Sequence, residues 1–281
     1  VRLLRFRPRG KEPRLGVVVD DGVADLSGRL PELSYEDLLG PAGLAAAATA
    51  SEGAAADYAF DEIDYAVPLA AGSKVLCIGR NYGRYHEVRR EGRPRWPSVF
   101  ARFASSFAAH GQPIVRPAVS EQLDYEGELG VVIGSRARHV SEGDALAHVA
   151  GYTIVNEGSV RDWQRYGSQN CPGKNFWHSG ALGPWIVTRD EIEDWAGVTI
   201  TTRVDGTTRQ HGSTGEMLFG VPELISHISR FTWLEPGDLI ATGSPGGSAV
   251  DSDPPPWLRP GQTVEIEIES IGVLRNVVEA E

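Results

Sequence analysis

The segment Asp124-Tyr-Glu-Gly-Glu-Leu-Gly-Val131 places a carboxylate at every second position from Asp124 to Glu128. In an extended strand alternate side chains share a face, so Asp124, Glu126 and Glu128 point one way. Leu123, Tyr125, Leu129, Val131 and Ile133 point the other way, into a core. Three carboxylates on one face repel one another, and a cation removes that repulsion. Hard oxygen donors select Mg2+, Mn2+ or Ca2+ over zinc. A solvated acidic sheet face gives the same pattern, and Glu-x-Glu alone does not separate the two. A second acidic segment, Asn156-Glu-Gly-Ser-Val-Arg-Asp-Trp-Gln164, follows the apolar run Val149 to Val155. A carboxylate at a strand's end is well placed to serve a site. The pattern predicts a helix over Ser159 to Tyr166 with Ser159 as its cap. Arg161 and Gln164 then share a face. Arg161 could take a substrate carboxylate through two N–H groups, and Gln164 a carbonyl or hydroxyl. A capped surface helix with an internal Glu/Arg pair is the alternative.

The elements that must hold these residues are mostly strands. Lys74 to Ile78, Leu129 to Ile133, Val149 to Val155, Trp185 to Val187, Val198 to Val204, Asp238 to Thr242 and Thr263 to Ile268 favour β structure. A helix is expected over Val221 to Arg230. The first 65 residues differ: strands at Leu3 to Phe6 and Leu15 to Val19 with a turn near Asp20-Asp21-Gly22, then Tyr35 to Leu39 and an alanine-rich helical stretch, Leu44 to Ala56. This predicts a small N-terminal α+β subdomain over residues 1–65, a boundary within Ala66 to Gly72, and a larger domain over 66–281.

Length and composition bound the function. A chain of 281 residues with 33 Gly, 18 Pro and one Met suits a turn-rich, sheet-rich architecture. The net charge of −11 disfavours nucleic acid and anionic membrane as partners. No apolar run approaches the ~20 residues of a membrane span. Val1 to Arg9 is basic and short, without the apolar stretch of a secretory signal. Two cysteines, Cys77 and Cys171, lack metal-type spacing; a cytoplasmic protein with free thiols is expected.

Seven stretches in order resemble the fumarylacetoacetate hydrolase family. They are Lys74-Val-Leu-Cys-Ile-Gly-Arg-Asn-Tyr82, Leu123 to Gly134, Val149 to Asn156, Ser159 to Gln164, Leu182-Gly-Pro-Trp185, Leu234 to Gly247 and Ile271 to Asn276. The resemblance implies a mixed α/β, mainly β fold. Its catalytic domain is a β-roll of mixed sheets, usually dimeric, holding one Mg2+ or Mn2+. It implies Glu126, Glu128 and the position of Glu157 as metal ligands and Lys174 as the group that steadies developing negative charge. Arg80, Tyr82, Arg161, Gln164 and Thr242 become the expected substrate contacts.

Two departures stand out. The family has Asp where this chain has Glu157, and one methylene moves the carboxylate by roughly a bond length, whereas metal–oxygen distances tolerate a few tenths of an ångström. Many members also carry Asn-Tyr-x-x-His with Glu three residues on, a water-activating dyad. Here Tyr85 holds the histidine position and His86 comes one place later, with Glu87 or Glu91 as its partner. Ser244 stands where the family usually has Thr. The aromatic and basic stretch Arg84 to Arg102, including Arg89, Arg90, Arg93, Arg95 and Trp96, either lines a pocket or forms a solvated loop. Trp177 and His178 adjoin Lys174 and are pocket candidates by proximity.

The family's substrates are acylpyruvates, 1,3-dicarbonyls and 2-oxo acids, whose oxygens chelate the metal. The first expectation is hydrolysis of a C–C bond in a small acylpyruvate-like or diketo acid, with His86 and Glu87 activating water. The second is a non-hydrolytic isomerisation, tautomerisation or decarboxylation of a related 2-oxo acid. A binding or inactive scaffold is the third.

Overall fold

The computed structural model describes residues 1–20, 22–70, 72–83, 92–192 and 194–281. Among them, twelve strands form one mixed sheet. Its order runs Tyr58–Ala59, Gly22–Asp25, Arg14–Val19, Arg2–Pro8, Gly180–Thr188, Val149–Asn156, Gly127–Ile133, Leu239–Ala241, Val75–Gly79 and Ser98–Arg102. Ile63–Ala66 adds to Arg2–Pro8, and Phe107–Ala109 adds parallel to Gly180–Thr188. The N-terminal strands are thus continuous with the rest, joined through the Leu3–Ile186 register. A second sheet orders Thr207–Ser213, Thr199–Val204, Thr263–Ile268, Gly272–Ala280 and Ile114–Arg116. The architecture is mixed α/β, mainly β.

Two strands at the centre, Gly127–Ile133 and Val149–Asn156, are buried at every residue. That burial explains their near-continuous apolar sequences. Leu129, Val131 and Ile133 pack in one core with Ile200, Ile266 and Ile268 of the second sheet. Val132, of opposite parity, packs in another with Leu38 and Leu39 of the helix Tyr35–Leu39 and Ala47 of the helix Pro41–Ser51. Glu128 shares the parity of Val132. One face of this strand is therefore packed at its far end and carries a carboxylate at its near end.

Helix Val221–Ser229 matches the expected span and buries Leu224, Ile225 and Ile228. The alanine-rich helix is shorter and earlier than expected. Pro41 starts it and it ends at Ser51, before Gly53 at φ +66°.

Two other expectations need correction. The acidic segment is not one strand. Leu123–Asp124 pairs with Ser159–Val160 in a separate two-stranded sheet, and the chain then bends into Gly127–Ile133. At the bend, Glu126 N–H donates to the Asn156 side-chain oxygen at 3.1 Å and Gly127 N–H to that of Gln210 at 2.9 Å, so side chains replace a neighbouring strand. The helix predicted over Ser159 to Tyr166 is confined to Arg161–Gln164, with Val160 before it and no side-chain cap. No described helix is long and apolar enough to cross a membrane.

Candidate active site

The bend and the end of strand Val149–Asn156 converge on a cavity of about 850 Å3. Glu126, Glu128, Glu157, Arg161, Gln164 and Lys174 line it, together with Arg80 and Tyr82. The Glu157 turn is pinned from both sides. Glu157 N–H donates to the Glu126 carbonyl at 2.8 Å, and Arg102 Nη1 donates to the Gly158 carbonyl at 3.1 Å. Residue 158 must be glycine, because a Cβ there would collide with the Ser179 carbonyl oxygen.

Lys174 closes the short helix Cys171–Lys174 and is buried. Its Nζ donates to Glu126 Oε2 at 2.6 Å and to Glu157 Oε2 at 3.0 Å, and lies 5.3 Å from the centre of the Phe100 ring. Burial favours the neutral amine, but Glu126 and Glu157 outweigh it and raise the lysine above its ordinary value. The ammonium form is thereby favoured, with two carboxylates as its hydrogen-bond partners. Burial pushes the Glu126 carboxyl up, and Arg161, Lys174 and the Ser159 hydroxyl overcome this, bringing it down to about 2. Ser159, expected as a helix cap, donates to Glu126 Oε2 at 2.5 Å instead.

Glu128 is the opposite case. Burial, with Glu157 and Glu126 nearby, drives it well above the usual carboxylate range, and among the described residues its one hydrogen bond comes from Gly243 N–H at 2.9 Å. Gly243 takes φ +97°, which glycine alone adopts freely. Glu157 Oε1 is buried without a hydrogen-bond partner among the described residues. These observations fit a hard divalent cation. Three carboxylate donors are grouped, one has an unsatisfied oxygen, and one is destabilised by like charge. Among the described residues no three acidic, His or Cys side chains converge closely enough to hold an ion as they stand. The Lys174 ammonium bridges two of the three.

Arg161 differs from its expected role as a free clamp. Nε donates to Asp124 Oδ2 at 2.8 Å, Nη1 to Gln164 Oε1 at 3.0 Å, and Nη2 meets Glu126 Oε1 at 2.9 Å. The guanidinium orients Glu126 and Gln164 and is spent on them. Asp124 is equally committed. It also accepts the backbone N–H groups of Tyr125, Ala249 and Val250. Thr242, expected to touch substrate, does not line the cavity. Its hydroxyl donates to the Leu129 carbonyl at 2.9 Å and ties two central strands together. The turn after it does line the cavity, through Ser244, Pro245 and Gly246.

Tyr82 is buried on the cavity wall, and its hydroxyl has no hydrogen-bond partner among the described residues. Burial raises this phenol above its ordinary value. His86 and Glu87 lie outside the described residues, as do Arg84, Arg89 and Arg90. Trp96 lines the cavity, whereas Arg93 forms a surface fork with Glu223 at 2.8 and 3.0 Å. Trp177 stacks on His178 at 3.9 Å outside the cavity.

Sequence reasoning missed Arg102 and Phe100. Both lie on strand Ser98–Arg102 two residues apart, on one face, inside a stretch whose charge suggested a loop. Arg102 is 3% exposed and bonds Ser106, Gly158 and Ser179, none of them acidic. Burial lowers it below its ordinary value, and Glu157 is the strongest opposing influence.

Comparison with known proteins adds an outside measure. Residues 74–279 match the family model described as fumarylacetoacetate (FAA) hydrolase C-terminal. A mitochondrial oxaloacetate tautomerase of Homo sapiens is 37% identical over 287 residues, covering 99% of this chain and 91% of the human one. A fumarylacetoacetate hydrolase structure from Exiguobacterium antarcticum superposes with TM-score 0.83 at 33% identity, covering 100% of this chain and 99% of the other. A maleylpyruvate hydrolase from Sphingobium sp. SYK-6, in complex with manganese(II) ion and pyruvate, gives TM-score 0.83 at 25% identity with the same coverage.

Proposed function

The chain belongs to the fumarylacetoacetate hydrolase family, and from that premise we propose that it is a tautomerase, interconverting the enol and keto forms of a small 2-oxo dicarboxylic acid such as oxaloacetate. The observation that carries this reading is the Lys174 ammonium, held between Glu126 and Glu157 on the wall of a cavity lined by both carboxylates and cations. Such a group holds a proton beside carboxylates that can return it. In the enol-to-keto direction one C–H bond forms at C3 and one O–H bond breaks at C2. Lys174 Nζ delivers the proton to carbon, and a neighbouring carboxylate recovers one from the enol hydroxyl. Atoms balance and water takes no part. Gln164, fixed by Arg161, is placed to hold a substrate carbonyl. A divalent ion such as Mg2+ or Mn2+ held by Glu126, Glu128 and Glu157 would supply Lewis-acid polarisation of the 2-oxo oxygen.

The test follows the ultraviolet absorbance of the enol and the exchange of C3 protons in heavy water by NMR. Catalysed exchange, with substrate conserved, is the expected result. Accumulation of C–C cleavage products or of CO2 at the same rate would overturn it. The second reading is C–C hydrolysis. The maleylpyruvate hydrolase neighbour with manganese and pyruvate, and a cavity larger than a four-carbon acid needs, favour that reading. Incorporation of water oxygen into product distinguishes it. The sequence puts hydrolysis first; the name of the human relative supports the non-hydrolytic expectation. Homodimeric assembly and residence in the cytoplasm belong to the same reading, tested by light scattering and by fractionation.

A further inference from the structure

Resting on the tautomerase reading, we infer that Arg165 is the specificity-determining residue that receives the second carboxylate of a dicarboxylic substrate. Among the described residues, the cavity is lined by four cationic side chains: Arg80, Arg161, Arg165 and Lys174. Arg161 is saturated by Asp124, Glu126 and Gln164. Lys174 bridges Glu126 and Glu157. Arg80 has a partner of its own. Arg165 stands apart. It is exposed at the cavity wall, and no hydrogen bond or ion pair engages its guanidinium among the described residues.

Its placement follows from its neighbours. Arg165 N–H donates to the Asp162 carbonyl at 3.1 Å, continuing the turn Arg161–Gln164 by one helical residue. Positions four apart on a helix share a face, so Arg165 and Arg161 rise on the same side. The buried cation is fixed to the protein's own acids, and the outer one retains five N–H donors in a planar fork suited to a carboxylate. The other acid on this lining, Asp251, accepts Gly247 N–H at 2.9 Å. A substrate with one carboxylate uses the inner part of the cavity. A second carboxylate, one or two carbons away, requires a cation nearer the mouth.

The experiment compares wild type, Arg165→Met and Arg165→Lys. The substrates are oxaloacetate and its one-carboxylate analogue 2-oxobutanoate, and C3 proton exchange is followed by NMR. Calorimetric binding of malonate and acetate reads the same preference without turnover. Loss of one charge-assisted contact predicts a KM for oxaloacetate raised at least about tenfold in Arg165→Met, with kcat within about twofold and the one-carboxylate substrate unaffected. Arg165→Lys recovers part of the loss, and malonate binding weakens in parallel. Equal losses on both substrates, or unchanged KM and unchanged malonate affinity, overturn the inference. If wild type exchanges neither substrate, the tautomerase reading fails. Malonate binding then decides Arg165 by itself: weaker in Arg165→Met supports the inference, and equal in both proteins overturns it.

Discussion

The two ends of the acidic segment differ in how completely their charges are met. At one end, Asp124 accepts Arg161 and three backbone N–H groups. At the other, four residues on, Glu128 has among the described residues one backbone donor and a repelling Glu157, which itself has an oxygen without a partner there. The same residue chemistry is thus used twice. The Asp124 carboxylate, though raised by burial, is hydrogen-bonded on both oxygens and anchors two loops to a strand. An under-satisfied pair stores unfavourable electrostatics that a cation or a proton relieves.

Breaking the satisfied end should give the largest loss of stability. Asp124→Ala leaves the Arg161 guanidinium buried beside a missing partner, and a cost of about 3–5 kcal/mol is expected in denaturant unfolding. Lys174→Met should remove turnover by about 10²–10⁴-fold, the scale of a lost proton donor. Its unfolding midpoint should fall in chelator and recover on adding Mn2+, because Glu126 and Glu157 then need another cation. Recovery in Asp124→Ala as well would erase the contrast between the two ends.

Acid and base should separate Glu126 from Glu128. Glu126, at about 2 when folded against an ordinary 4.5, contributes stability that is full above about 4.5 and is lost as pH falls toward 2. Glu128 is raised when folded, so its contribution is present below about 4.5 and is lost as pH rises above that value. Stability curves for Glu126→Gln and Glu128→Gln should therefore depart from wild type on opposite limbs. Glu128→Gln should be the more stable variant toward alkaline pH in chelator. The smallest effect is expected for Thr242→Val, about 1 kcal/mol from one lost hydrogen bond, with KM unchanged. A raised KM there would return Thr242 to the substrate contacts.

Much of this arrangement is legible in the sequence. Strand periodicity located Leu3–Phe6, Val149–Val155 and Thr263–Ile268, because each packs a face or two into a core. The family resemblance singled out Glu126, Glu128, Glu157 and Lys174, and all four line one cavity. The bend at Tyr125–Glu126 was not legible, since it depends on the side chains of Asn156 and Gln210, which are remote in sequence. Arg161 read as a free clamp for a similar reason. Helical spacing shows its face, but its three partners are set by how the two-stranded sheet meets the bend. Arg102 was hidden in a charged stretch because burial of a cation without an acid leaves no local signature.

The pairing of Arg2–Pro8 with Gly180–Thr188 bears on how the molecule is made. Strand Arg2–Pro8 finds its partner Gly180–Thr188 only across some 180 residues of chain. Val75–Gly79 likewise waits for Leu239–Ala241. Until then Gly127–Ile133, the strand that carries Glu128, lacks one of its neighbours and exposes an apolar edge. Long-range closure of this kind slows folding and leaves nascent chains open to misassembly. Chaperone demand during synthesis should accordingly concentrate on the middle of the chain, and the cavity can form only once residues as far as Asp251 have emerged.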